Sequence, residues 1–372
     1  PSSRSLCLST AAPPRCRFYN LPNRLSNTYS RKMRRKSFFK VACATKRKRG
    51  TSVNKYTSVE VCAGAGGQAL GLEQANFDHL ALVEIEPWPV TTLRHNRPEW
   101  NVIQEDLNHW EPSEDLIGVD LFAGGVPCPP FSVAGKQLGK DDERDLFQRA
   151  IDLIGILRPR GVMLENVRGL LDPKFEDYRA EILHQLREHG FHGEWKLVLA
   201  SDFGVSQLRP RAILVALKDE DWANFAWPSG TGEAPPSVGE TLGELMAANG
   251  WKGAKTWADQ ATGIAPTLVG GSKKHGGPDL GPTRARKAWL EMNVMGNTIA
   301  EEAPTEDFDG IPRLTPKMLA RLQGFPDDWD IQGRKTQSCR QIGNAFPPPV
   351  AAAISGAIRE AFEETDLQSS AI

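Results

Sequence analysis

Cys128 sits in Gly125-Val126-Pro127-Cys128-Pro129-Pro130-Phe131-Ser132, a cysteine between prolines. Proline fixes its own φ and turns the preceding residue away from the helix, so the sulfur is expected on a stiff, non-helical loop. A thiolate held this way can act as a nucleophile, provided its surroundings help it ionise; a buried, inert thiol is the competing reading. A second site of chemistry is the corner Cys62-Ala63-Gly64-Ala65-Gly66-Gly67. It lacks the full G-x-G-x-x-G spacing of a dinucleotide site and the Lys-Ser/Thr of a phosphate-binding loop. It does allow close backbone approach at a strand-to-helix turn. Glu84 follows Gly67 by seventeen residues, near the spacing at which a carboxylate bonds a ribose diol. The corner therefore suits a nucleoside-bearing ligand with little phosphate.

These residues need a scaffold that brings strand ends together. Ser58–Cys62, Leu80–Glu84, Val119–Phe122 and Gly161–Leu164 read as short buried strands. Between them, Gln68–Ala75, the stretch around Thr91–Arg94 and Asp145–Leu157 read as helices; in the last, Leu146, Ala150, Leu153, Ile154 and Leu157 keep helical spacing. The alternation predicts an α/β fold, a mostly parallel sheet with helices on both faces. Ligands in such sheets sit at the carboxyl ends of the strands, where Glu84, Asp106, Cys128 and Glu165 are expected. From 218 the texture changes to Trp, Gly and Pro with little period, a candidate second, loop-rich domain over 218–332. Thr315-Pro316 marks a helix start. Residues 333–362, with a helix over Val350–Ile358, are expected to pack back on the first domain (56–217), and 363–372 to form a tail.

The net charge of −1 conceals an asymmetry. Residues 1–59 hold fifteen Lys or Arg and no acid, so the rest carries 30 of the 45 basic and all 46 acidic residues. The segment 1–55 reads as a disordered basic tail. Nucleic-acid contact, nuclear import, an organelle transit segment, an upstream extension or a true start at Met33 all fit it. Six scattered cysteines with no CxxC pair argue against a disulfide scaffold or a structural zinc. No apolar run approaches the ~18 residues of a membrane-spanning helix, so a soluble protein in a reducing compartment is expected.

Pro127-Cys128 with Phe131-Ser132-Val133-Ala134-Gly135-Lys136-Gln137 resembles the catalytic loop of the DNA (cytosine-5) methyltransferases. Residues 60–67 resemble that family's first motif, Glu165-Asn166-Val167 its ENV motif and Gln207-Leu208-Arg209-Pro210-Arg211 its QxRxR motif. Arg313-Leu314-Thr315-Pro316 to Gly324-Phe325-Pro326 and Gln341-Ile342-Gly343-Asn344 resemble the ninth and tenth blocks. Together the blocks cover about residues 56–362, in the family's order. The resemblance implies a Rossmann-like S-adenosylmethionine (SAM) fold with a smaller target-recognition domain, of the bacterial restriction-modification type. It implies a cofactor site at Cys62, Ala63, Gly64, Gly66, Gly67, Glu84, Ile85, Asp106, Leu107, Pro127 and Asn344, with Glu84 on the ribose and Asp106 on the adenine amine. Two positions depart from the pattern: Cys62 replaces a Phe that lies against the adenine, and Ile85 an often aromatic residue.

The implied reaction follows from the residues. Cytosine C5 is a poor nucleophile until a thiolate, here from Cys128, adds at C6. The addition drives electrons toward N3, where Glu165 can protonate or hydrogen-bond. Arg209 and Arg211 are expected to face opposite ways, Arg209 on the base at O2 and Arg211 organising the loop. Asn166 either orients the catalytic loop or gives structural support. The target base must be flipped out of the duplex, and Ser132, Lys136 and Gln137 are candidate DNA contacts on a closing loop. Residues 250–292 hold seven Lys or Arg against three acids. That footprint suits DNA, with Arg284 and Arg286 as candidate contacts, and Thr267-Leu268 resembles the dipeptide that marks the family's target-recognition regions, which adds Thr267. The alternatives are an RNA (tRNA) cytosine methyltransferase, a non-catalytic DNA-binding protein and a nucleotide-dependent oxidoreductase; the last gives Cys128 no role. Double-stranded DNA is the expected partner. A cognate restriction endonuclease not stably bound, a monomeric state, no metal and a cytoplasmic, nucleoid-associated location complete the expectations. A nuclear or organellar location follows if the tail is a targeting segment.

Overall fold

The structure, a computed structural model, describes residues 56–127, 146–270 and 277–371. Among them seven strands form one sheet: β1 (Tyr56–Val61), β2 (Phe77–Glu84), β3 (Val102–Gln104), β4 (Leu121–Gly124), β5 (Gly161–Val167), β6 (Phe191–Leu199) and β7 (Pro210–Lys218). Their order is β3-β2-β1-β4-β5-β7-β6. β1 to β5 pair in parallel, while β7 runs antiparallel between β5 and β6. The chain leaves β1 toward β2 on one side and returns to β4 on the other. The carboxyl ends of β1 and β4 therefore flank the switch point, where such sheets open a crevice.

Side chains alternate between the two faces, as a pleat requires. Phe122, Val162, Leu164, Ala212, Leu214 and Ala216 meet α3 (Phe147–Leu157) and α4 (Glu176–Glu188). Leu121, Ala123, Met163, Ile213, Val215 and Leu217 meet α11 (Pro348–Ser370). α1 (Gly67–Gln74) lies so close to α11 that a β-carbon on Gly71 would stand 2.5 Å from Ala351 Cβ. A further core joins α1 and α2 (Pro87–Asn96) to α6 (Val238–Met246), α7 (Ala254–Gln260), α8 (Thr283–Glu291), α9 (Pro316–Leu322) and α10 (Lys335–Asn344). Trp289, fully buried, anchors α8 in it.

The structure corrects two boundaries. Glu165 does not end its strand: β5 continues to Val167, because β7 extends the ladder through Glu165↔Ile213, Asn166↔Ala212 and Val167↔Arg211. Residues 363–370 are not a tail but the last turns of α11. The reason is a polar latch. Arg160 lies 2.6 Å from Asp221 Oδ1 and 2.8 Å from Asp366 Oδ1, and its guanidinium lies over the Phe362 ring. Tyr56 Oη donates to Asp366 at 2.7 Å. The basic segment 1–55 lies outside the described residues.

Arg160→Ala would leave Asp221, 3% exposed at its side chain, as an unpaired buried charge. A loss of roughly 2–4 kcal/mol is expected. Chemical denaturation should show a lower midpoint with unchanged slope; an unchanged midpoint would show that the latch does not hold α11.

Candidate active site

A cleft of about 530 Å³ opens at the switch point. Its walls include Cys62, Ala63, Gly64, Glu84, Ile85, Asp106, Leu107, Pro127, Glu165, Asn166, Arg211 and Asn344. All twelve are residues the sequence assigns to cofactor or catalysis; Asn344 arrives from α10, nearly 280 residues after the glycine corner. Gly66 and Gly67 are not on the wall. A β-carbon on Gly66 would stand 2.7 Å from Leu93 Cδ2, and one on Gly67 2.1 Å from the Phe346 carbonyl oxygen. Their glycines let α1 start against α2 and the α10–α11 junction.

The corner is fixed by Glu84. Its Oε2 accepts from the Gly64 N–H at 2.7 Å and its Oε1 from the Glu86 N–H at 2.8 Å. Burial raises the Glu84 pKa above the usual carboxylate value, against the pull of those N–H groups. Glu60, on β1 beneath the corner, is held well above it by burial and then by Glu84; its Oε2 has no hydrogen-bond partner. Cys62 lies in the left-handed region at φ 53°. Burial, then Glu84, Glu60 and Asp106, push its thiol up, so it stays protonated. Asp106 Oδ1 accepts from the Asn108 N–H at 3.0 Å, closing the turn after β3. Arg149, which sequence reasoning missed, pins that turn by donating to the Leu107 and Trp110 carbonyls at 3.1 and 2.6 Å.

Across the cleft, Arg211 Nε lies 2.6 Å from Glu165 Oε1, both side chains about nine-tenths buried. The contact is an ion pair without an aligned hydrogen bond from Nε. The acid and the glycine corner adjoin. A β-carbon on Gly125 would stand 3.5 Å from Glu165 Oε2 and 3.8 Å from the Cys62 carbonyl oxygen. Asn166 Nδ2 donates to the Val126 carbonyl at 2.8 Å, while its Oδ1 accepts from the Val167 N–H. It thus braces the chain two residues before Cys128. Cys128, Ser132, Lys136 and Gln137 themselves lie outside the described residues.

The two arginines do not divide as expected. Residues two apart in a regular strand share a face, so the pleat gives no reason for opposite ones. They part because β7 begins only at Pro210. Arg209, before the strand, is fully buried. It donates to Leu268 O at 2.9 Å and to Gly343 O and Ala345 O at 2.8 Å each. Burial and the neighbouring Arg211 hold its pKa well below the usual guanidinium value. Arg209 is not on the cleft wall, and Arg211 is.

Gln207 completes the junction. It accepts from the Leu268 N–H at 3.0 Å and donates to Gln323 Oε1 at 2.7 Å. Thr267, half-buried, is carried on the strap this fixes; Arg284 and Arg286, exposed and half-exposed, lie on α8. Sequence reasoning also missed Gln337 and Arg340, which line the cleft one helical turn apart on α10. Their spacing with Gln341 and Asn344 was the available signal.

No helix among the described residues is long and apolar enough to cross a membrane. The fold matches solved structures: a mutant of Spodoptera frugiperda DNMT2 at TM-score 0.56 and 18% identity, covering 83% of this chain and 100% of that one. S. pombe Dnmt2 methyltransferase matches at TM-score 0.54 and 16% identity, covering 83% and 99%. Among curated proteins, Type II methyltransferase M.NaeI of Lentzea aerocolonigenes is 57% identical over 309 residues, 82% of this chain and 74% of that one. Type II methyltransferase M.NgoMIV of Neisseria gonorrhoeae is 54% identical over 313 residues, 83% of this chain and 99% of that one. Residues 56–360, from the first strand through most of α11, match the model of the C-5 cytosine-specific DNA methylases. The chain belongs to that family of SAM-dependent enzymes and is a DNA cytosine-5 methyltransferase of the restriction-modification type.

Proposed function

We propose that the chain methylates C5 of one cytosine within a specific duplex DNA sequence, with Cys128 as nucleophile and the Glu165–Arg211 pair as the group that handles the base. The observation that carries this reading is the 2.6 Å ion pair on the same cleft wall as the corner held by Glu84. Its residues fit a SAM-type ligand. Glu84 spends one lone pair of each oxygen on a backbone N–H, which leaves acceptors for ribose hydroxyls. The carboxyls of Glu84 and Asp106 on its wall can balance the charge of a cationic sulfonium. Ala63, Gly64, Ile85, Leu107, Pro127 and Asn344 complete the pocket. When bound, SAM supplies an electrophilic methyl group.

The protein's part is to make C5 able to take that methyl. Cys128 as thiolate adds to C6, and the displaced electron pair moves toward N3 and O2. Glu165, once it has taken up a proton from water, donates a hydrogen bond or that proton at N3. Arg211, whose charge already meets Glu165, holds the carboxyl in place and balances charge at O2, the role first expected of Arg209. Asn166 sets the level of the Cys128 loop through Val126. After transfer, loss of the C5 proton, with water as base, expels the thiolate and restores the aromatic ring. Reaching C6 requires flipping the base, at a cost of a few kcal/mol, with Ser132, Lys136 and Gln137 closing over the DNA. Residues 218–332 serve as the recognition domain, with Thr267, Arg284 and Arg286 at the DNA. The enzyme acts as a monomer alongside a separately folded restriction endonuclease.

Duplex DNA with 5-fluorocytosine at the target traps the covalent adduct, because no C5 proton can leave. Wild type and Cys62→Ala should form an adduct that survives a denaturing gel, and Cys128→Ala should not; an adduct with Cys128→Ala removes Cys128 from the chemistry. For the cofactor, a hydrogen bond to a charged group is worth about 1.5–3 kcal/mol. Glu84→Ala should therefore weaken SAM about ten- to a hundredfold by calorimetry. Unchanged affinity would exclude Glu84 from the site.

A further inference from the structure

The lip of the cleft carries a side chain that the mechanism above leaves unused. Trp88 stands between Pro87 and Pro89, and Pro87 opens α2. Prolines in a helix's first turn forfeit no intrahelical hydrogen bond. The two rings restrict the backbone on either side of Trp88, which sets where its Cα–Cβ bond points before a ligand arrives. One side of the indole is filled by Gly333, in the left-handed region at φ 114°, where a β-carbon would stand 3.2 Å from Trp88 Cε3 and 3.3 Å from Cδ2. Trp88 is nevertheless 43% exposed, and it lines the cleft. The other ring on the described wall, Phe346, is buried.

The groups around Trp88 point to one kind of ligand. Glu84 and Asp106, on the same wall, offer carboxylate acceptors. Gln337, whose Cβ lies 2.9 Å from the β-carbon position of Gly333, has a buried Oε1 with no hydrogen-bond partner. A packed, electron-rich face beside acceptors with lone pairs to spare matches a purine nucleoside: the flat base stacks, and its amine and hydroxyls donate. Neither Cys62 nor the 54% exposed Ile85 offers a ring to such a base.

We propose that Trp88 is the stacking platform for the adenine of the cofactor, supplying from α2 the aromatic contact that positions 62 and 85 cannot make. This rests on the cofactor reading given above. The test is calorimetric titration of the full chain with S-adenosylhomocysteine, which carries the same nucleoside and no transferable methyl. Trp88→Leu keeps apolar bulk without a π-face and should weaken binding about 5- to 100-fold, the range that base–aromatic stacking covers. Trp88→Phe should stay within about fivefold of wild type, and DNA affinity of both variants, by gel shift, should not change. Adenine stacking should also quench indole emission in wild type more than in Trp88→Phe, a readout that stands even if the leucine variant does not fold. Undiminished affinity in Trp88→Leu, or equal quenching in wild type and Trp88→Phe, overturns the role of Trp88 and leaves the cofactor reading intact. Failure of wild type to bind S-adenosylhomocysteine overturns the cofactor reading and the proposal with it.

Discussion

A guanidinium with no access to water joins three remote parts of this chain. Arg209 gives its N–H groups to Leu268, on the strap that carries Thr267, and to Gly343 and Ala345, where α10 turns into α11. Taking a charge out of water costs several kcal/mol, and charge-assisted hydrogen bonds to three carbonyls offset that cost only while all three segments stay in place. Gln207 adds the Leu268 N–H and Gln323 to the same junction, and Gln323 donates in turn to Ala345. Gly343, Asn344 and Ala345 are also cleft wall. The wall of the cleft and the strap around Leu268 are thus registered against one buried cation.

With that register fixed, the chemistry divides by charge. One side of the cleft is a floor of acids, in which Glu60 and Glu84 are raised by burial and Cys62 is kept a thiol. Burial pushes all three toward their protonated forms, so Cys62 offers no thiolate there. The other side holds Glu165 against Arg211, with Gly125 between the pair and the corner. Gly125 leaves the space between them open: a β-carbon there would meet Glu165 Oε2 and the Cys62 carbonyl oxygen only at van der Waals distance.

Much of this could be read from residue order. The strands, the glycine corner and the acids after β2 and β3 follow from short buried runs and their punctuation, and the cleft gathers Glu84, Asp106, Glu165 and Asn344 as expected. What could not be read depends on tertiary context. Local spacing assigns Arg209 and Arg211 no separate roles, because these depend on β7 starting at Pro210 and on carbonyls 59 to 136 residues away. Glu165 reads as a strand end until β7 lies antiparallel beside it. The length of α11 depends on Arg160 and Tyr56, from the other end of the chain. Trp88 belongs to a helix start that gives no sign of facing a cleft.

The central claim is that Arg211 acts on the base while Arg209 holds the scaffold. Single-turnover methyl transfer measured beside thermal unfolding, on Arg209→Met and Arg211→Lys, tests it most directly. The account predicts that Arg211→Lys keeps its melting temperature within a few degrees and loses about 10²–10³-fold in the rate of transfer. It predicts that Arg209→Met, which takes the guanidinium donors from the Leu268 and Gly343 carbonyls and leaves Ala345 O only Gln323, melts about 5 °C or more below wild type. Below that melting point its rate per folded molecule should stay within about tenfold of wild type. The opposite pattern, a stable but inactive Arg209→Met beside an active Arg211→Lys, would contradict the account.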